Sequence, residues 1–151
     1  MAEGETVHAS CVLVDEAGIL IRGPAGAGKS TLARALVRAA GASGRFACLV
    51  GDDRTRLANR HGRLLARSVE EIAGRIEVRG AGILPEPCEA AAVVRLLVDL
   101  CSEDPPRLPE AEDATATVCG VRLPRLRQRL DFSTVGLVLD RSGFRDTLVT
   151  E

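Results

Sequence analysis

Aromatic side chains are almost absent from this sequence of 151 residues, which contains three phenylalanines, no tryptophan and no tyrosine. Its hydrophobic core must therefore consist of valine, leucine, isoleucine and alanine. The scarcity of aromatic rings excludes the stacking platforms on which many proteins bind single-stranded nucleic acid. The formal net charge of −1 provides no field to attract a nucleic acid backbone or an anionic membrane surface. We therefore expect neither a nucleic acid nor a membrane partner.

The sequence also lacks closely spaced cysteine pairs and long apolar segments. Its five cysteines lie at positions 11, 48, 88, 101 and 119 without a C-x-x-C pair, which indicates neither a disulfide framework nor a zinc site. No apolar run approaches the roughly 18 residues that a membrane-spanning helix requires, and no signal-peptide pattern is present. These features predict a protein of the reducing cytoplasm. The length predicts a single domain, residues 1–151.

Lysine is scarce as well, because Lys29 is the only lysine among the 20 lysines and arginines. It lies in the segment "GPAGAGKS", which matches the phosphate-binding pattern G-x-x-x-x-G-K-[ST] in full. The glycines allow backbone N–H groups to surround a phosphate at a helix N-terminus. A compact ammonium reaches between two phosphates where a planar guanidinium would not fit, and the serine hydroxyl can bind Mg²⁺. The predicted nucleotide-binding residues are Gly23, Pro24, Ala25, Gly26, Ala27, Gly28, Lys29, Ser30 and Thr31.

The surrounding pattern predicts an α/β fold in which a mixed, mostly β sheet packs around the helix that follows this loop. The segments "TVHASCVLVD" and "GILIRG" are typical of two strands joined by a turn. "KSTLARALVRAAG" has helical spacing and a terminal glycine, whereas the valines of "EAAAVVRLLVDL" favour a strand. "RTRLA-NRHG-RLLAR" predicts a hairpin, "SVEEIAG" a helical turn capped by Ser68, and "DFSTVGLVLDRSGF" a short helix.

Two aspartates follow the apolar segment after that first helix. "RFACLVGDD" is a continuous apolar run that ends in Asp52 and Asp53, which is typical of a buried central strand. About twenty residues after a phosphate-binding loop, such an acid can hold a metal or position a reacting water. Because neighbouring side chains of a strand point in opposite directions, we expect the two aspartates to have different roles. His8 and Glu77, taken alone, are more typical of exposed strand positions.

These segments together resemble the catalytic domain of the bacterial HPr kinase/phosphorylase family. "VHASCVLVDEAGILIRGPAGAGKSTLARALV", "CLVGDDRTRL" and "IEVRGAGIL" are similar, in order and spacing, to the family's V-H segment, P-loop, L-V-x-D-D strand and E-I-R-G-x-G-I signature. The resemblance extends over residues 6–100. It implies a P-loop α/β fold similar to HPr kinase and phosphoenolpyruvate carboxykinase, in a short form without the family's N-terminal domain.

The resemblance implies a cytoplasmic serine kinase that uses ATP and Mg²⁺ and phosphorylates the phosphocarrier protein HPr or its paralogue. It also implies the reverse phosphorolysis, which releases pyrophosphate, a role in regulating the phosphotransferase system, and a homo-oligomer, which is a hexamer in the family. Asp52 matches the aspartate that takes the seryl proton, Asp53 supports it, and His8 matches a histidine near this pair. Glu77 matches the acid near Mg²⁺, which Ser30 also binds.

The resemblance fades after residue 100. The family's loop resembling P-V-x-P-G-R-N corresponds to "LPRLRQRL", where Arg129 takes the place of the catalytic arginine and Gln128 replaces the preceding glycine. Because Arg125, Arg127 and Arg129 alternate, one solvent-facing side of a strand is an equal alternative.

Two other functions remain open at this point. A small-molecule P-loop kinase would use the same loop, but 151 residues leave little chain for a second, helical lid domain. A regulator that binds nucleotide without transferring phosphate would not need a base, which argues against it given Asp52, Asp53 and His8.

Overall fold

The computed structural model describes residues 4–69, 75–78, 80–85, 89–108 and 110–143, with the backbone alone described for 75–78 and 83–85. The helices of this part of the chain are α1 (Lys29–Ala42), α2 (Thr134–Ser142) and a 3₁₀ turn at Ala111–Asp113. The strands are β1 (Glu5–Val7), β2 (Ala9–Val14), β3 (Ala17–Arg22), β4 (Ala47–Gly51), β5 (Thr55–Arg60), β6 (Arg63–Ser68), β7 (Arg75–Val78), β8 (Gly82–Pro85), β9 (Ala91–Leu100), β10 (Thr115–Val118) and β11 (Val121–Gln128).

Most of these strands form one mixed sheet with the order β1-β5-β6-β9-β3-β2-β4. Strand β3 runs parallel to β9 and antiparallel to β2, which in turn is antiparallel to β4. The opposite edge of β9 pairs with β6 along its first residues and with β11, in parallel, along its last ones. Strand β10 forms a hairpin with β11, and β7 with β8 forms a separate ribbon. The predicted fold class, a sheet-dominated α/β fold with few helices, is confirmed.

Two aliphatic cores cover the two faces of this sheet. Helix α1 buries Leu32, Leu36 and Ala40, spaced at one helical turn, against Val12, Ile19, Ile21 and Val98 of the strands and Val138 of α2. The opposite core contains Leu20, Val50, Leu57, Leu64 and Leu97. Both consist of aliphatic and small side chains, as the shortage of aromatic residues predicts. The strand that precedes the loop, β3, is therefore packed on both faces.

Three local predictions are confirmed, and each of them rests on the pattern of residues within one short segment. "EAAAVVRLLVDL" contains the strand β9, and "DFSTVGLVLDRSGF" contains α2 with Ser133 at its N-cap. The hairpin is β5–β6, and its turn has positive φ at both His61 (56°) and Gly62 (83°). Two positive φ angles are characteristic of the type I′ turn that matches the twist of a two-residue hairpin.

One other local prediction is wrong, and one falls mostly outside the described residues. The strand before the aspartates, β4, lies at one end of the strand order described above, next to β2, and is not central. Its apolar run reflects burial on both faces, because Leu49 packs in the α1 core and Val50 in the opposite one. The helical turn predicted for "SVEEIAG" stays a prediction, because Ser68 is the last residue of β6 and residues 70–74 lie outside the described residues.

A carboxylate joins three strands beside the glycine-rich loop. Asp99 of β9 accepts two hydrogen bonds from Arg22 of β3, at 2.8 and 2.9 Å, and one from Arg125 of β11, at 2.6 Å. Burial raises the pKa of Asp99, but the hydrogen bonds and charges of both arginines outweigh it, so this pKa lies below its usual value. Since Arg22 directly precedes the loop, this ion-pair cluster fixes the point at which the loop begins.

We expect Asp99→Asn to lower the stability of the protein by about 1–2 kcal/mol at neutral pH, after allowance for solvent screening. The lowered pKa means that the carboxylate stabilises the folded state above the usual aspartate pKa of about 4, and that this contribution is lost as the pH falls toward the folded-state pKa. The difference in melting temperature between wild type and variant, followed by circular dichroism, should therefore narrow at acid pH. Asp113→Asn is the control, since its carboxylate lies 3.9 Å from Arg125. A difference in melting temperature that did not change with pH would contradict the role assigned to the Asp99 carboxylate.

Candidate active site

The glycine-rich loop connects β3 to α1 and is folded tightly on itself. The N–H of Ala27 donates to the carbonyl of Pro24 at 3.0 Å, and Gly26 and Gly28 have positive φ angles of 84° and 100°. The N–H of Leu32 donates to the carbonyl of Gly28 at 2.9 Å, so the helix begins directly from the loop. The strand–loop–helix context predicted for a phosphate-binding loop is therefore present.

Lys29 is buried, with 8% of its surface exposed. Its ammonium donates to the carbonyl oxygens of Gly23 at 2.8 Å and Pro24 at 3.4 Å. These bonds satisfy a charge that would otherwise be costly to bury. They also hold the ammonium against the loop, at the helix N-terminus, where its charge and the helix dipole have the same sign.

The acid pair meets the loop through one short hydrogen bond. The hydroxyl of Ser30, in the first turn of α1, donates to Oδ1 of Asp52 at 2.6 Å across a separation of 22 residues. Asp52 is half-buried at the end of β4. The structure therefore brings together two residues that the sequence singled out independently, one through the loop motif and one through the pair of aspartates.

Asp53 differs from its neighbour because it is exposed and lies in the left-handed region, with φ of 65°. Strand geometry predicts that the two side chains point apart, but both aspartates follow the last residue of β4 and form a bend. Their divergence therefore results from this backbone reversal. One carboxylate contacts the loop, and the other is exposed to solvent.

His8 and Glu77 are less closely defined. His8 is exposed in the bend between β1 and β2, two residues before Ser10, which contacts both aspartates. Glu77 lies opposite Ile83 in the β7–β8 ribbon, and its side chain lies outside the described part of the structure. The predicted metal-binding role of Glu77 stays a prediction.

Arg129 lies beside the phosphate-binding loop, just after the end of β11. A pocket of about 460 Å³ is lined by the loop residues Pro24–Gly28 and Thr31 and, opposite them, by Cys101, Ser102, Arg129 and Leu130. The exposed guanidinium of Arg129 is 3.7 Å from the carboxylate of Asp104. The alternation of arginines does not describe a uniformly solvated side, because Arg125 is bound to Asp99 while Arg129 borders this pocket.

Two contacts of the site were not anticipated. Ser10 binds both members of the acid pair, and its signal was a lone hydroxyl in an otherwise apolar strand, "ASCVLV". Leu130 packs against Gly28, where a Cβ would collide with Cδ2 of the leucine. A contact between residues so far apart in the chain has no local sequence signal.

Comparison with known proteins places the chain in a family. The family model described as the HPr serine kinase C-terminal domain matches residues 1–86. The chain therefore belongs to the HPr serine kinase C-terminal domain family. No curated protein sequence matches it.

A solved structure also resembles most of the chain. The HPr(Ser) kinase/phosphatase from Coxiella burnetii superposes with a TM-score of 0.72 at 24% sequence identity. The match covers 91% of this chain and 95% of that one. At this identity the similarity shows a common fold.

No helix among the described residues is long and apolar enough to cross a membrane.

The Gly28–Leu130 contact predicts unequal effects of alanine at two loop glycines. Gly28→Ala introduces both backbone strain and a collision with Leu130, whereas Gly26→Ala introduces strain without a neighbour within 4 Å. We expect Gly28→Ala to be less stable than Gly26→Ala by about 1 kcal/mol, the low end of overpacking costs, because the end of the Leu130 side chain can shift; denaturant unfolding measures the difference. Adding Leu130→Ala should remove most of the difference. Equal effects of the two alanines would show that Leu130 does not press on the loop.

Proposed function

We propose that this protein is an ATP-dependent serine kinase that phosphorylates HPr or an HPr-like phosphocarrier protein. The observation that carries this proposal is the 2.6 Å hydrogen bond between Ser30 and Asp52, which joins a phosphate-binding loop to an acid pair. In a P-loop protein, a loop serine and a carboxylate of this kind hold Mg²⁺ beside the phosphates, and Asp53 next to them supplies the second carboxylate that transfer to a hydroxyl needs. Membership of the HPr serine kinase family supports HPr or an HPr-like protein as the acceptor.

The residues present fit ATP and Mg²⁺. The loop offers backbone N–H groups at the start of α1, with the buried ammonium of Lys29 beside them. Ser30 and Asp52 offer a hydroxyl and a carboxylate oxygen, the ligand type that Mg²⁺ takes from proteins together with substrate phosphates. Mg²⁺-ATP, when bound, supplies the γ-phosphoryl group. Glu77 is a further candidate ligand, and Arg129 would add positive charge from the opposite wall of the pocket.

The contacts of the acid pair favour a division of roles opposite to the one that the family resemblance implies. Oδ1 of Asp52 accepts hydrogen bonds from Ser30 and Ser10, which supports a role for this carboxylate on the metal side of the site. Asp53 is exposed and free to face an incoming hydroxyl. We therefore assign to Asp53 the removal of the seryl proton, with His8 near the pair, and to Asp52 the support of the metal.

The same groups would serve the reverse reaction. An oxygen of inorganic phosphate attacks the phosphorus of phosphoserine, the bond from phosphorus to the seryl oxygen breaks, and Asp53 returns the proton to that oxygen. The products are pyrophosphate and unmodified HPr. We place both reactions in the bacterial cytoplasm, in a homo-oligomer that regulates the phosphotransferase system.

The direct test is incubation of the protein with ATP, Mg²⁺ and purified HPr, followed by mass spectrometry for phosphoserine. We expect one phosphoryl group on HPr, none with Lys29→Ala, and pyrophosphate after inorganic phosphate is added. Lys29→Ala is the control because it leaves the phosphate charge without its ammonium. Tight ATP binding without phosphorylation of HPr or its paralogue would instead favour a nucleotide-binding regulator.

Two matched substitutions test the division between the aspartates. We expect Asp53→Asn to lower kcat by about 10²–10⁴-fold, the usual contribution of a general base, with unchanged dependence on Mg²⁺. Asp52→Asn should raise the Mg²⁺ concentration needed for half-maximal rate by about 10–100-fold. The rates are measured over a Mg²⁺ titration at saturating ATP. The reverse pattern would restore Asp52 as the base.

A further inference from the structure

Ser10 is a polar side chain in the interior of an apolar strand. Ser10 is fully buried, as are its neighbours Ala9, Cys11 and Val12 in β2. A buried hydroxyl is costly unless it is hydrogen-bonded. The contacts that satisfy Ser10 therefore account for its presence, and they lead to the acid pair.

The hydroxyl of Ser10 uses both of its hydrogen-bonding capacities on consecutive residues. It donates to Oδ1 of Asp52 at 3.3 Å and accepts the backbone N–H of Asp53 at 3.0 Å. A serine hydroxyl has one hydrogen to donate and lone pairs to accept, so the two bonds do not compete. The hydroxyl of Ser10 thus orients both the side chain of Asp52 and the backbone of Asp53.

The backbone of Asp53, which Ser10 holds, has an unfavourable conformation. Asp53 has φ of 65°, which costs energy for a residue with a Cβ. A second bond from the same strand secures the far side of this bend, because the buried hydroxyl of Thr55 donates to the carbonyl of Ala9 at 2.8 Å. Residues 9 and 10 therefore hold the bend at both of its ends.

We propose that Ser10 is the positioning residue of this site, which fixes Asp52 toward Ser30 and Asp53 toward the acceptor hydroxyl. The kinetic part of this inference rests on the proposed kinase function. Ser10 touches neither reacting group and acts through the two aspartates. It is the one polar contact common to both, among the hydrogen bonds that the structure describes.

The test compares Ser10→Ala, which removes the hydroxyl, with Ser10→Thr, which keeps it. Cys11→Ala is the control, because it alters an equally buried neighbour in β2 whose described hydrogen bond is to Val12, away from the acid pair. We expect Ser10→Ala to lower kcat by about 10–100-fold, the effect of a small misplacement of catalytic groups. Its KM for ATP should stay within about twofold. Ser10→Thr should recover most of the rate, and Cys11→Ala should lower stability with little change in kcat.

A readout independent of activity is hydrogen exchange of the Asp53 amide, followed by NMR. Ser10→Ala should expose this amide and accelerate its exchange, whereas Ser10→Thr and Cys11→Ala should keep it protected. An unchanged Asp53 amide in Ser10→Ala, or an equal loss of kcat in Cys11→Ala, would overturn the positioning role. If the amide responds as expected but the wild type does not phosphorylate HPr, positioning is supported and the proposed function is the part that fails.

Discussion

The site depends on the placement of β3 between an antiparallel β2 and a parallel β9. Because β2 runs against β3, its first residue Ala9 lies opposite Arg22, the last residue of β3. Because β4 runs against β2, Cys11 lies opposite Gly51, where the acid pair begins. The parallel pairs bring the ends of β9 and β11 to the same edge. One sheet edge therefore collects the glycine-rich loop, both aspartates, Ser10 and the Arg129 segment.

Different interactions stabilise the two sides of this edge. The loop side is anchored by packing, with α1 buried on an aliphatic core and Leu130 against Gly28. The acid side is anchored by hydrogen bonds from Ser10, Ser30 and Thr55. Packing resists displacement in all directions, whereas a hydrogen bond fixes one orientation. In the proposed function, the loop that binds a large charged group needs the first property, and the carboxylate that faces one proton needs the second.

The features that could be predicted from the sequence depend on local residue patterns. The loop and helix follow from one motif, β9 from its valines, and the Asp-Asp pair from its place after an apolar run. The edge position of β4 could not be predicted, because burial by a helix and burial by neighbouring strands leave the same apolar pattern. The bond of Arg22 to Asp99 spans 77 residues, and the contacts of Ser10 span 42 and 43. Such contacts depend on strand order, which propensity does not specify.

The edge position of β4 also bears on the acceptor. A kinase for a small molecule can enclose its substrate, but a seryl hydroxyl on a folded protein must reach the phosphoryl group while its own domain stays outside. Asp53 and His8 are exposed, and they lie near the end of the described strand order. In the proposed kinase, the exposed carboxylate of Asp53 would be open to a second protein. The same exposure would admit water, so the placement of both acids by Ser10 would also limit hydrolysis.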